Sequence, residues 1–314
     1  MYQKNCIDIV IPCYNESSII GTTLKALNEL LVNNFPYQYN VVVVDNGSTD
    51  NSVEIVRKNE VYAVVKTDCT IADLRNYGAG LFNGEYIAFL DADVLITEKW
   101  MSELGKFIES NNYRYIVTGS PYNVVDQNSR LEKCWFSGNR FSSNYINSGN
   151  LIVTRILFEA VGGFDPHLKT GEDYDFCLRA RRFGGKMNIN PGFYTIHYGY
   201  PRNLYAFFKR EMWHGIGDFK NYKTFFTSKP AMLSVLNGIF LLTALVGSFI
   251  FSNYWFILSY LIFIVFLTFS ISQKRSRSIN CIMYNMLVSF VYLMARLASL
   301  WQGKKAFNPK NPAR

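Results

Sequence analysis

The stretch Gly84–Asp93 limits the possible folds more than any other part of the chain. Five apolar or aromatic side chains in a row, Tyr86-Ile87-Ala88-Phe89-Leu90, run into two carboxylates one residue apart, Asp91-Ala92-Asp93. A run with no polar alternation suits a strand covered on both faces, as in a parallel sheet between helix layers. Open α/β sheets place ligands where such strands end. Carboxylates at i and i+2 can turn into one crevice, where a hard cation neutralises them. Taken alone, the same pattern is a polar strand end followed by a helix cap.

The flanking sequence repeats this arrangement. Cys6–Ile11 reads as a first buried strand, closed by Pro12, and Asn15–Ser18 supplies caps for a helix to about Asn33. Val41–Val44 is a second strand ending in the turn cluster Asp45–Asp50, and Val61–Val65 is a third. A helix over Ile71–Phe82 then leads to the opening stretch. Four strands joined by three helices predict an α/β fold with a doubly wound, mostly parallel sheet and right-handed crossovers. Glu98–Ser110 reads as a further helix, Tyr115–Thr118 and Leu151–Val153 as strands, and Glu172–Phe183 as a helix with Arg179, Arg181 and Arg182 near its favourable end. Residues 119–147 show no period and are expected to form a binding loop or lid.

Charge divides the 314 residues into two regions. Residues 1–201 carry 18 Lys/Arg against 22 Asp/Glu, whereas residues 202–314 carry 14 against 2. The basic part is also the most apolar, which points to a membrane and away from nucleic acid. Met232–Phe251 and Tyr254–Ile271 are each near the length of a bilayer span and are separated by Ser252-Asn253, which predicts a hairpin. Lys220, Lys223 and Lys229 precede it and Lys274, Arg275 and Arg277 follow it, so both flanks are expected in the cytosol. Leu204–Ile216 suits a helix in the membrane interface. Ile279–Leu300 gathers Asn285, Ser289, Tyr292, Arg296 and Ser299 on one face. It is expected in the interface or against the N-terminal domain; the alternative is a third span with Arg296 facing protein. The expected division is a domain over 1–201, an interfacial helix and linker over 202–230, a hairpin over 231–272, a membrane-associated helix over 279–300 and a basic tail over 301–314. Six scattered cysteines without a C-x-x-C pair predict free thiols in a reducing compartment. The first residues show no signal peptide, which agrees with a cytosolic N-terminal domain at an inner or cytoplasmic membrane.

Several polar motifs fall on the predicted ligand side of the sheet. They are Ile11-Pro12-Cys13-Tyr14-Asn15-Glu16, Val44-Asp45-Asn46-Gly47-Ser48-Thr49-Asp50, Leu74-Arg75-Asn76-Tyr77-Gly78 and Leu90-Asp91-Ala92-Asp93. Each alone is a turn, cap or surface ion pair; independent caps would not converge on one edge. Downstream lie Gly162-Gly163-Phe164-Asp165, Gly171-Glu172-Asp173-Tyr174-Asp175 and His197. Two carboxylates opening a helix are ordinary dipole partners, and one of them beside a cation site is a candidate general base. A lone His such as His197 is either a packed residue or a ligand. No Gly-x-Gly-x-x-Gly follows the first strand, which excludes a dinucleotide-dependent oxidoreductase.

In this order and spacing the motifs resemble the inverting family 2 glycosyltransferases of GT-A fold, over roughly residues 6–200. The resemblance implies a nucleotide half over 6–93 and an acceptor half over 94–200. It implies that Pro12, Tyr14, Glu16, Asp45 and Arg75 hold the nucleotide of a nucleotide-diphosphate sugar, UDP-linked in the first instance. Asp91 would contact the ribose region, Asp93 would bind Mg2+ or Mn2+ on the diphosphate with His197 as a further contact, and Asp173 would be the catalytic base. Processive relatives carry Gln/Arg-x-x-Arg-Trp, whereas Lys209-Arg210-Glu211-Met212-Trp213 has Met where Arg is needed. The expected acceptor is therefore a lipid-linked or membrane-associated glycan taking one sugar. A polyprenyl-phosphate acceptor and a non-catalytic sugar-nucleotide-binding protein are the alternatives.

Overall fold

The structure, a computed structural model, describes residues 2–124, 129–136, 145–219, 222–276 and 278–302. In chain order its first half runs β1 (Gln3–Cys13), α1 (Ile20–Asn34), β2 (Gln38–Asp45), α2 (Ser52–Lys58), β3 (Tyr62–Val65), α3 (Ile71–Ala79), β4 (Gly84–Leu90), β5 (Val94–Ile96), α4 (Glu98–Ser110), β6 (Ile116–Gly119) and β7 (Asn123–Val124). A π-helical turn covers Glu132–Phe136. Then follow β8 (Asn150–Thr154), α5 (Arg155–Ala160), α6 (Glu172–Arg182), β9 (Lys186–Ile189) and β10 (Thr195–His197). Five helices close the chain: α7 (Leu204–His214), α8 (Tyr222–Thr227), α9 (Lys229–Phe251), α10 (Trp255–Arg275) and α11 (Ile279–Gln302). The chain forms two compact units, Met1–Val125 with Arg140–Gly199, and Asp126–Asn139 with Tyr200–Arg314.

In the first unit the main sheet has seven strands in the order β3-β2-β1-β4-β8-β6-β9. The four strands expected to be parallel pair in parallel, with Val41–Val44 opposite Ile9–Pro12. β8 runs antiparallel to both β4 and β6, so the sheet is mixed beyond β4. Alternation along β1 separates the two cores. Ile7, Ile9, Ile11 and Cys13 pack with Leu24 and Leu27 of α1 and Trp100 and Leu104 of α4. Val10 and its neighbours Val42 and Val44 face Leu74 of α3, Phe158 of α5 and Phe176 of α6 on the other side. A second sheet, β5-β10-β7, lies at the strand ends.

Two local expectations are corrected. Pro12 does not close β1 but pairs with Val44. The Cys13 carbonyl accepts from Asn46 N–H on the β2 side. Pro12, one residue earlier, therefore turns its missing N–H the other way, where pairing with β4 has ended at Val10. Nor do the six cysteines all remain thiols, because Cys134 is bonded to Cys281 across 147 residues. Cys6, Cys13, Cys69 and Cys177 are free.

That disulfide lies in the second unit. It fixes the 132–136 turn on α11, where Asn285 Nδ2 donates to the Cys134 carbonyl at 2.8 Å. Trp135 packs on Phe207 and Tyr292. The 132–136 part of the expected loop is thus structural, while 125–128 and 137–144 lie outside the described residues. α7 turns Phe207 and Glu211 into the protein. Glu211 and Asp218 accept from the Arg296 guanidinium at 3.0 and 2.7 Å. α9, α10 and α11 are each long and apolar enough to cross a membrane. The predicted link between the first two is present, with Ser252 left-handed at φ 48.

One buried ion pair ties the first unit together at the strand starts opposite the site. Arg155, 3% exposed, donates to Asp8 Oδ2 and to the carbonyls of Gly84 and Ala79. Asp8 also accepts from Gly84 N–H and Asn40 Nδ2. Breaking one partner of such a pair leaves an uncompensated charge and costs about 3–5 kcal/mol. Arg155→Met is therefore expected to lower unfolding free energy by roughly that amount in denaturant titrations of the full chain.

Candidate active site

The loops after β1 and β2 are stitched into one surface. Asn15 N–H donates to Ser48 Oγ and Glu16 N–H to Ser52 Oγ, both at 2.8 Å. Ser17 N–H donates to Asp50 Oδ2 at 3.0 Å, and Thr49 N–H returns to Asn15 Oδ1 at 2.8 Å. The turn itself is set by Asp45, whose carboxylate accepts from Ser48 N–H at 2.7 Å and from its hydroxyl. Asp45 is 1% exposed, so most of its carboxylate serves the turn. Tyr14 and Glu16 stay half-buried on the same loop. Burial works to raise the Asp50 carboxyl, but bonds from Ser52 and Ser17 outweigh it and bring it to about 2.

Arg75 joins the next group. It is 2% exposed, with Nη2 on Asp91 Oδ1 and Nη1 on Glu172 Oε1, both at 2.7 Å. Asn76 beside it grips the backbone of Phe164, donating to its carbonyl at 2.7 Å and accepting from its N–H at 2.9 Å. The Arg-Asn motif and the Gly-Gly-Phe-Asp motif are thus two halves of one contact. The second oxygen of Asp91 accepts from Tyr122 Oη at 2.8 Å.

The small sheet supplies the rest. β10 pairs with β5 and β7 in a register that puts His197 opposite both Val94 and Val124. This brings His197 Nε2 within 3.5 Å of Asp93 Oδ1 and stacks its ring on Tyr122. Among the described residues no three His, Cys, Asp or Glu side chains are grouped to hold a metal unaided. Asp93 and His197 are ligand types that suit a divalent ion taking its remaining ligands from substrate phosphates and water.

A model of glycosyl transferase family 2 matches residues 8–164, half of the chain. The chain belongs to glycosyltransferase family 2. It is 28% identical over 204 residues to an amylovoran biosynthesis glycosyltransferase, AmsB, of Erwinia amylovora, covering 57% of this chain and 65% of that one. It is 29% identical over 200 residues to the glycosyltransferase AglE of Haloferax volcanii, covering 58% and 64%. The chain thus spans just under two thirds of these relatives. Among solved structures, the mannosyltransferase PcManGT of Pyrobaculum calidifontis, in complex with GDP-Man and Mn2+, superposes with a TM-score of 0.61 at 16% identity. That match covers 96% of this chain and 89% of the other, and establishes the GT-A fold.

In this glycosyltransferase Asp173 stands apart from the other acidic groups. Its carboxyl is raised to about 7, first by burial and then by the Glu172 carboxylate beside it, although Tyr174 N–H donates to it at 2.7 Å. Glu172 has its charge met by Arg75; Asp173 has no such cation at hydrogen-bond distance among the described contacts. Pro12, Asp45, Arg75, Asp91, Asp93, Asp173 and His197 all belong to the first unit. Sequence reasoning did not single out Tyr122 or Asn147 as working residues, and it took Asp173 over Glu172. Tyr122 and Asn147 sit in an aperiodic stretch, so only their contacts reveal them.

The depressed Asp50 carboxyl carries a pH signature. Its stabilising contribution is complete above the ordinary carboxylate range and is lost as pH falls through about 2. The stability difference between the enzyme and Asp50→Asn is therefore expected to shrink as pH drops from about 4 to about 2, read by thermal melts across that range.

Proposed function

We propose that this glycosyltransferase moves one sugar, with inversion, from a nucleotide-diphosphate sugar to a hydroxyl of a membrane-associated glycan acceptor. The observation that carries the reading is the raised carboxyl of Asp173 in the same network as Asp91. A general base works best with a pKa near the working pH, and a half-buried Asp at about 7 meets that condition. Asp173 takes the acceptor hydroxyl proton from the face opposite the leaving group. Glu172 and Arg75 hold the start of α6 in place for it. The stitched loops of Tyr14–Ser17 and Asp45–Ser52 receive the nucleotide, with Pro12, Glu16 and Asp45 shaping the surface and Asp91 at the ribose. UDP is the nucleotide expected first; the GDP-Man bound to the Pyrobaculum enzyme makes GDP the direct competitor in a binding screen.

A divalent cation, Mg2+ or Mn2+, would be held by Asp93 and His197 and would offset charge on the departing diphosphate. The Mn2+ in the Pyrobaculum complex supports that expectation. The three long apolar helices associate the enzyme with a lipid bilayer. The basic residues flanking α9 and α10 support a catalytic domain on the cytosolic side.

Transfer is expected to rise with pH through about 7 and level off, following ionisation of Asp173. Asp173→Asn is expected to lose about 10²–10⁴-fold in kcat while still binding nucleotide, as judged by stabilisation with UDP or GDP and Mn2+. Near-normal turnover in that variant would instead select a phosphate acceptor, which needs no such base. Asp93→Asn is expected to abolish Mn2+-dependent stabilisation by the same nucleotides.

A further inference from the structure

Tyr122 touches the surroundings of both carboxylates of Asp91-Ala92-Asp93. Its hydroxyl lies 2.8 Å from Asp91 Oδ2 and beside Asn147 Oδ1, two acceptors that share its one proton. Its ring stacks on His197, with centroids 4.7 Å apart and planes 25° from parallel. Asp91 Oδ1 is taken by Arg75 at 2.7 Å. Both oxygens of Asp91 are thus bonded inside the protein, one of them to a cation, and freeing either would break a strong hydrogen bond. Asp93 is placed differently, with one oxygen 3.5 Å from His197 Nε2.

Two glycines make room for this division. A Cβ at Gly149 would lie 1.8 Å from Tyr122 Oη and 2.1 Å from Asp91 Oδ2. A Cβ at Gly199 would lie 1.8 Å from Asp93 Oδ2. Any larger residue at Gly149 would separate Tyr122 from Asp91, and any at Gly199 would displace the Asp93 carboxylate.

We infer that Tyr122 is a positioning residue that assigns the two carboxylates different tasks. Its hydroxyl keeps Asp91 in the Arg75 network and outside the cation's coordination. Its ring fixes the His197 imidazole so that Nε2 faces the Asp93 side. The inference rests on the reading of Asp93 and His197 as cation ligands. An imidazole ligand depends on the groups that orient it, and loss of that support typically weakens metal binding by about 10–100-fold.

The test separates the two halves of the side chain. Mn2+ binding to the full chain in detergent is followed by electron paramagnetic resonance, with UDP and separately with GDP. Donor KM and kcat are measured alongside. Tyr122→Leu and Tyr122→Met both remove the ring, so that one folded ring-less variant is in hand; thermal melting identifies which. Each folded one is expected to raise the Mn2+ dissociation constant by about tenfold or more. Tyr122→Phe keeps the ring and is expected to hold Mn2+ within about twofold of the parent, while donor KM rises because Asp91 is no longer pinned. A folded ring-less variant that binds Mn2+ like the parent would overturn the ring's role. Unchanged donor KM in Tyr122→Phe would overturn the hydroxyl's. Asp93→Asn is the control for the underlying reading. If it also keeps Mn2+, the cation site itself is wrong; if it alone loses Mn2+, only the inference about Tyr122 fails.

Discussion

One buried guanidinium holds the site in register. Burying an ion costs several kcal/mol even after relaxation, so Arg75 needs its carboxylates as firmly as they need it. Its partners come from the end of β4 and the start of α6, which are 16 and 97 residues away along the chain. Three segments from distant parts of the sequence are therefore fixed by one side chain. Asn76 adds a second attachment through the Phe164 backbone, and the Arg75 guanidinium lies 5.8 Å from the Phe164 ring centroid. Without Arg75, Asp91 and Glu172 would face each other as uncompensated like charges.

The parts legible in the sequence were those with a local physical signal. Non-alternating runs such as Val41–Val44 require burial on both faces, and their capping clusters mark the strand ends, so the parallel half of the sheet followed directly. Antiparallel β8 was legible as a strand but not in its direction. Leu151-Ile152-Val153 buries equally well either way, and only its pairing with both β4 and β6 decides. The two-residue β7 carries too few side chains for a period, yet it pairs with β10 beside His197. Pro12 was misjudged because proline's cost depends on which neighbour its missing N–H would face. The Cys134–Cys281 bond depends on a fold-level approach between residues 147 apart, which no spacing encodes.

The helical unit follows the same division. The polar face of α11 was visible as Asn285, Ser289 and Arg296 at helical spacing, which signals protein rather than lipid on that side. Its partners were not visible. Arg296 is met by Glu211 and Asp218, the sole acidic residues after residue 201. In a region otherwise crowded with cations, both carboxylates meet this one internal arginine, and Glu211 also accepts from Arg210 at 3.1 Å. The remaining Lys and Arg are left to flank the apolar helices.

Asp173 shows how one network can give neighbouring carboxylates opposite properties. Both Glu172 and Asp173 begin α6, where the helix dipole favours negative charge. The dipole alone would lower the Asp173 carboxyl. Arg75 reaches Glu172 and cancels its charge at 2.7 Å, whereas Asp173 receives a single backbone N–H. Burial then outweighs that N–H and the more distant pull of Arg75 on Asp173, and the Glu172 carboxylate next door pushes in the same direction. The proton affinity of Asp173 is thus set first by burial and then by Glu172, with Arg75 acting on it only through space.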